Sequence, residues 1–390
     1  MHQILKKEMN QDIDPAAALS VVIPAAGFSS RMHGYKPLLK LGDKTMIEVV
    51  IQLFKGCGIT DIIVVTGHNR DCLTPCIQKA GARTIFNPDY ETGMFGSIQK
   101  GAEQVSPQSC GFFLLPVDIP AIRPATILAL WALFKKHPDH IIIPEFERTP
   151  GHPPIIPARL IPKITAMRSD SNLGKLLLSQ TDRLVRLPVY DRGILLDADT
   201  QTSYEAVAQK YQQMHIPDLQ ECHCLIQSIL PGETAIQSHL LLVAKTALKL
   251  GRAIVNNLQP DNKKRLDIPL NMNLIQAAAL LHDIKRKEKN HALAGSRFLE
   301  SFGYFQAADI VAEHMTLTPG DTLTEKEIVY FADKLCIGNR LELDYRQRFI
   351  DKCQQEPWAK TPILKRYEIT QQIQSRIQAA AGRSIREILQ

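Results

Sequence analysis

From Leu19 to about Ala208 the chain repeats one texture: short β-branched apolar runs (LSVVIP, DIIVVTG, ARTIF, GFFLLP, HIIIP and RLVRLPV) separated by amphipathic stretches. Runs that are apolar throughout, rather than at every second position, belong to strands covered on both faces. They predict an α/β, Rossmann-like half with a mostly parallel sheet. After Tyr211 the period changes. HLLLVAKTALKLGRAIVNN, LIQAAALLHDI, HALAGSRFLESFG and EKEIVYFADKLCIGNRLE carry apolar residues at helical spacing and little strand pattern, which predicts an all-α second half. The stretch from His215 to Gly232 contains two prolines and several polar positions, and the boundary is expected there, giving domains over 19–210 and 215–390.

A length of 390 residues, 45% hydrophobic and 22% charged, suits two ordinary folded domains and excludes disordered or fibrous chains. The formal charge is +6, and residues 334–390 hold 11 Lys/Arg against 6 Asp/Glu. Without a run of like charges, this excess reads as a solvated helix face rather than a nucleic-acid surface. Eight cysteines without a C-x-x-C pair are expected as free thiols in a reducing cytoplasm, and the spacing of Cys222, His223 and Cys224 does not suit zinc. The polar first 18 or so residues lack a signal-peptide core, and no apolar run reaches the length of a membrane span.

The candidate chemistry begins where the first strand ends, in AAGFSSRMHGYKPLLKLG. Ala25, Ala26 and Gly27 let backbone N–H groups approach a phosphate, Ser29 and Ser30 add donors, and Arg31 and Lys36 add charge. Asp118, in LLPVDIP, closes an apolar strand at the sheet edge where α/β enzymes place ligands. A carboxylate there can hold Mg²⁺ against a phosphate.

The pattern A-A-G-x-S-x-R-M with a lysine five residues after the arginine resembles the MobA-like nucleotidyltransferases, of the molybdenum cofactor cytidylyltransferase type, with His33 standing where those enzymes usually have glycine. NPDYETGMFGSIQKG resembles their base-recognition loop and implies nucleotide contacts at Gly93, Met94 and Ser97. GHPPIIP resembles the acceptor-side segment and implies Gly151, His152 and Pro153. LLDADTQTSYEAV resembles the closing D-x-D-T motif, leaving Asp197 and Asp199 both open as the second metal ligand beside Asp118. The resemblance covers about residues 19–208. It implies transfer of CMP from CTP to molybdopterin or its molybdenum-loaded form, with Arg31, Lys36, Asp118 and Mg²⁺ at the reacting phosphates. Two alternatives remain: a sugar phosphate or other small molecule as acceptor, and a cofactor-binding carrier that delivers to a molybdoenzyme and uses its second half for regulation.

In the helical half, His239, the pair His282–Asp283, and Asp333 lie on apolar-periodic segments where unpartnered charge is expensive, and a shared metal would partner them. On one helix, adjacent His and Asp point about 100° apart and would meet a single ion over their common edge. The order H, HD, D, with HALAGSRFL and VAEHM between, resembles the HD-domain phosphohydrolases. That resemblance implies His291 and His314 as ligands of a second metal, Lys285 as a phosphate-facing lysine, and Mn²⁺, Fe²⁺ or Mg²⁺ as occupants.

Overall fold

The computed structural model describes residues 18–28, 32, 34–168, 171–257 and 270–390. The chain divides into two compact units, one ending at Met214 and the other starting at His215.

The first unit runs β1 (Leu19–Ala25), the hairpin β2 (Lys40–Leu41) and β3 (Lys44–Thr45), α1 (Met46–Gly56), β4 (Ile62–Thr66), α2 (Arg70–Ala80), β5 (Arg83–Phe86), α3 (Met94–Ala102), β6 (Gly111–Leu114) and α4 (Pro124–Lys136). It continues through β7 (Ile141–Phe146), β8 (Thr149–Pro150), β9 (Ile155–Pro157), α5 (Ile161–Ala166), α6 (Leu173–Leu178), β10 (Leu184–Pro188) and α7 (Gln201–Gln212). The main sheet has the order β10-β7-β9-β6-β1-β4-β5, with β8 on β7. β1 lies at its centre, parallel to both β4 and β6, and every residue of β1, β4 and β6 is buried. Six of the strands coincide with the six apolar runs.

The seventh position departs from a purely parallel sheet. β9 lies antiparallel between β6 and β7, and its three residues follow two prolines, too short a run to carry a period of its own. Helix α1 starts at a capping box in which Thr45 and Glu48 satisfy each other's backbone N–H, and it buries Met46, Ile47, Val50, Ile51 and Phe54 against the sheet. Helix α3 sits closer still, because a Cβ at Gly101 would overlap Val22.

The second unit is helical: α8 (Leu219–Ile229), α9 (Thr234–Asn257), α10 (Met272–Leu281), α11 (His291–Ser301), α12 (Phe305–Glu313), α13 (Glu325–Lys334), the hairpin β11 (Cys336–Ile337) and β12 (Arg340–Leu341), α14 (Arg346–Gln355), α15 (Lys360–Ala381) and α16 (Ile385–Leu389). The stretch 215–232, expected as a linker, is mostly α8. Asp218 and Glu221 form a reciprocal cap that starts the helix directly after Pro217. Helix α9 runs through the middle of the unit, burying Leu240, Val243, Ala247, Leu250 and Ile254 in one stripe against α10, α13 and α15. Among the described residues, no helix is long and apolar enough to cross a membrane.

Candidate active sites

The C-terminal ends of β1 and β6 open one cleft of the first unit, the edge at which parallel sheets bind ligands. Backbone bonds zip the two ends together: Leu115 N–H donates to Val22 O and Val117 N–H to Pro24 O. Tyr35 straps the first loop, its hydroxyl donating to His68 O at 2.7 Å and to Ala25 O at 3.2 Å. Its burial pushes that hydroxyl's pKa up to about 12, so it stays a donor. The pocket at this edge is lined by Ala25, Ala26, Gly27, Lys36, Gly93, Met94, Ser97 and Asp118, together with Tyr90. Ser97 is buried and accepts a hydrogen bond from Asn87 Nδ2 at 3.0 Å.

Lys36 carries the electrostatics of the cleft. Its Nζ lies 2.5 Å from Asp199 Oδ1 and 3.3 Å from Asp118 Oδ2. The backbone binds the two carboxylate segments as well, Ala198 N–H donating to Asp118 O at 2.9 Å. The Asp197 carboxyl is pushed above its ordinary value by burial and by the charges of Asp199 and Asp118, against the pull of Lys36. Three carboxylates around one ammonium form an oxygen-rich set suited to a hard cation such as Mg²⁺. The sequence left Asp197 and Asp199 equal; Lys36 contacts Asp199, and Asp197 is the one held toward its neutral form.

Gly151, His152 and Pro153 do not line that pocket. Gly151 N–H donates to Pro144 O, and His152 N–H to Ile194 O. Burial lowers the His152 pKa while the nearby charges of Asp118 and Asp197 work the other way, so the ring is neutral beside the carboxylates. Its buried Nδ1 has no hydrogen-bond partner. Ser29, Ser30, Arg31 and His33 lie outside the described residues.

In the second unit six side chains form two groups whose ligand atoms lie within 4.8 Å of one another: His239, His282 and Asp333, and Asp283, His291 and His314. They come from α9, the end of α10, the start of α11, the end of α12 and α13. Helix α10 ends at Leu281, and His282 and Asp283 occupy the turn that follows it. Each residue thereby joins a different group, with Asp283 Oδ2 only 3.6 Å from His282 Nε2.

The donor set fits metal ions. His239, His282 and His314 each place Nδ1 within 3.0 Å of a backbone carbonyl, on Gly338, Ala279 and Val311 respectively. The carbonyls assign the proton to Nδ1 and turn the Nε2 lone pair inward, the arrangement that orients a ligating imidazole. His282 Nε2 is buried, faces Asp333 Oδ1 at 3.5 Å, and makes no hydrogen bond among the described residues. Burial lowers the pKa of His314 and of His291, keeping both neutral and able to ligate. Burial would raise Asp283, but the adjacent rings of His314 and His282 and the charge of Arg286 hold it well below the carboxylate range. Each group offers two nitrogens and one carboxylate, which suits first-row divalent ions.

Lys285 lies elsewhere. Its Nζ pairs with Glu288 at 3.0 Å and sits 4.6 Å over the Phe298 ring, outside the pocket that contains the ligands. Arg286 lines that pocket in its place, 3.2 Å from Asp283. The 282–287 segment is a succession of turns, so helical phase does not tell which basic residue faces inward. Lys334 was also missed: it is buried, with Nζ 2.7 Å from Asp333 and donating to His314 O. A lysine beside the last aspartate, directly after the apolar run IVYFA, was the available signal. Cys222 and Cys224 lie in α8 and in neither ligand group.

Residues 21–184 match the MobA-like NTP transferase domain and residues 236–337 the HD domain. The molybdenum cofactor cytidylyltransferase of Escherichia coli K12 is 26% identical over 200 residues, which span 51% of this chain and all of that enzyme. A 3-deoxy-manno-octulosonate cytidylyltransferase from Leptospira interrogans is 33% identical over 119 residues, 30% of this chain and under half (47%) of the relative's length. Among solved structures, Rv0371c of Mycobacterium tuberculosis H37Rv gives a TM-score of 0.46 at 23% identity, covering 50% of this chain and 98% of that one. A nucleotidyl transferase from Methanothermobacter gives 0.45 at 20%, covering 50% and 99%. The chain therefore joins a MobA-like NTP transferase domain to an HD domain in one enzyme.

Proposed function

We propose that the first unit, taken as residues 19–210, transfers CMP from CTP to molybdopterin or its molybdenum-loaded form. The observation that carries this reading is the bridge from Lys36 to Asp118 and Asp199 at the mouth of the Ala25–Gly27 loop. The likeness to the Escherichia coli enzyme over its full length supports the choice of nucleotide and acceptor. An acceptor phosphate oxygen attacks the α-phosphorus, a P–O bond forms, and the bond to pyrophosphate breaks. Bound Mg²⁺ supplies neutralisation of the phosphate charge. Arg31 and Lys36 stabilise the leaving pyrophosphate, while the backbone of Ala25, Ala26 and Gly27, with Ser29 and Ser30, holds the phosphates. Gly93, Met94 and Ser97 face the base, and His152, neutral beside Asp118 and Asp197, borders the acceptor with Gly151 and Pro153. Release of pyrophosphate in the presence of molybdopterin, compared across the four NTPs, tests the reading, and turnover with an NTP other than CTP refutes its specificity. A sugar phosphate or other small molecule as acceptor is the second reading, supported by the 33% identity over 119 residues to a 3-deoxy-manno-octulosonate cytidylyltransferase, and would show as pyrophosphate release without pterin.

For the second unit, taken as residues 215–390, the proposal is metal-dependent phosphoester hydrolysis. A pair of divalent ions would supply an activated water and clamp the phosphate. His239, His282 and Asp333 would hold one, and Asp283, His291 and His314 the other. Metal analysis of the purified chain, before and after His282→Ala, tests the assignment.

A further inference from the structure

The pocket lined by His239, Asp283, His314 and Asp333 of the ligand groups has a volume of about 390 Å³, in the range of small-molecule sites. Its lining holds two carboxylates, Asp283 and Asp333, both already in the ligand groups, against five cations: Arg286, Lys334, Arg348, Lys352 and Arg366. Arg286 and Lys334 pair with those carboxylates. The other three come from α14 and α15, which lie beyond the 236–337 segment that matches the HD domain.

The arrangement of those three needs an explanation that packing does not give. Arg348 is pinned in place, its Nη1 donating to the carbonyls of Asp333, Lys334 and Cys336 at the end of α13. Lys352 is four residues later on the same face of α14, where like charges repel. Arg366 faces the same pocket from α15, and no described carboxylate forms an ion pair with Lys352 or Arg366. Gathering half-buried like charges on two helices is unfavourable unless an anion joins them. On the hydrolase reading, the ligand groups would take one phosphate.

We infer that α14 and α15 complete the hydrolase pocket with a second anion subsite, so that its substrate is a small molecule bearing two or more phosphates. One phosphate would sit on the ligand groups and another on Lys352 and Arg366, with Arg348 fixing the wall between them. The inference rests on the hydrolase reading of the second unit for which phosphate is cut, but the subsite itself is read by binding.

Calorimetry on the full chain loaded with Mn²⁺ compares adenosine 5′-monophosphate with adenosine 3′,5′-bisphosphate, which differ by one phosphate. The bisphosphate is expected to bind about tenfold or more tightly, the contribution of one charge-assisted contact. In Lys352→Gln/Arg366→Gln the preference should shrink to about threefold or less with monophosphate affinity and metal content unchanged, the latter showing that the variant folds. Equal affinities in the parent chain, a preference that survives the double variant, or tighter binding of a single-stranded oligonucleotide overturns the inference. Preferential binding of the bisphosphate without its hydrolysis would instead sink the hydrolase reading and leave the subsite standing.

Discussion

The two units gather their charged side chains by opposite means. The transferase cleft uses loops at strand ends, backbone donors and one lysine set among three carboxylates, two of which it touches. The HD centre instead collects two imidazoles, His282 and His314, and two carboxylates that are all buried, with His239 and His291 at its margin, and three of the four rings are oriented by a backbone carbonyl. An open site can be tuned by substrate binding, whereas a buried one must have its charges balanced before substrate arrives. The largest test of this contrast is removal of the central charge in each. Lys36→Ala should lower the rate of pyrophosphate release by about 100-fold or more, as expected for loss of a group that stabilises developing charge. Hydrolysis by the helical unit in the same preparation would report that the chain is folded. A fall below about tenfold would mean that Lys36 only holds Asp118 and Asp199 in place.

In the helical unit, His282→Ala removes an imidazole whose buried Nε2 lies 3.5 Å from Asp333 Oδ1 and 3.6 Å from Asp283 Oδ2. The expected result is loss of one bound metal per chain and of hydrolysis, with CTP turnover kept. Retention of both metals would assign His282 a packing role. Acidity should reach the same centre. His291 and His314 have pKa values lowered from 6.5 by burial, so the folded chain binds fewer protons than the unfolded one between the two values. For these two rings the unfolded state gains protons as pH falls below about 6.5, which lowers stability and metal affinity over that window, while His282, raised by Asp333 and Asp283 against its burial, contributes the opposite sign. Thermal melts of the metal-free chain at pH 7.5 and 5.5 would show it, and an unchanged melt would contradict burial of neutral rings.

The contrast also explains which parts were legible. Four of the six strands were readable because each is a continuous apolar run, the edge strands β5 and β10 as mixed runs rich in β-branched and apolar residues, and the helical ligands because titratable residues stand out on apolar helix faces. β9 was hidden, since three residues after two prolines have no period. The orientation of Lys285 and Arg286 was hidden for a different reason: both lie in turns after α10, where spacing does not determine facing. The cationic wall from α14 and α15 lies well beyond the HD motif in sequence, and only folding brings Arg348 and Arg366 to the ligands. Local chemistry is written locally, whereas an electrostatic wall contributed by two later helices is not.

The packing beneath each site gives a smaller effect. Leu250 is fully buried on α9, and Leu250→Ala should destabilise the helical unit by about 2–5 kcal/mol through lost contacts and a cavity. Thr45→Ala removes the cap of α1 and should cost the first unit about 1 kcal/mol. Denaturant melts followed by a probe in each unit would separate the two. A Leu250→Ala loss no larger than the cap's would mean the helical core repacks around the gap.

The smallest effect is chemical, and it distinguishes the cores from the surfaces of both units at once. Burial pushes the Cys57 thiol up to about 12 and the Cys336 thiol up to about 11, and both are enclosed, whereas Cys72 is exposed on α2. Thiolate is the reactive form, so at pH 8 the buried pair is doubly protected, by access and by protonation. Brief iodoacetamide treatment read by mass spectrometry should label Cys72 and spare Cys57 and Cys336. Cys336 is the sharper reporter of the two. It lies in β11 on the lining of the cationic pocket, its sulfur 3.6 Å from Thr246 Oγ1 of α9. If His282→Ala loosens the helical unit as well as removing metal, Cys336 gains label while Cys57 does not. If the label stays absent, the metal is lost from a centre whose protein frame persists, and its ligand geometry is set by the fold rather than by the ions.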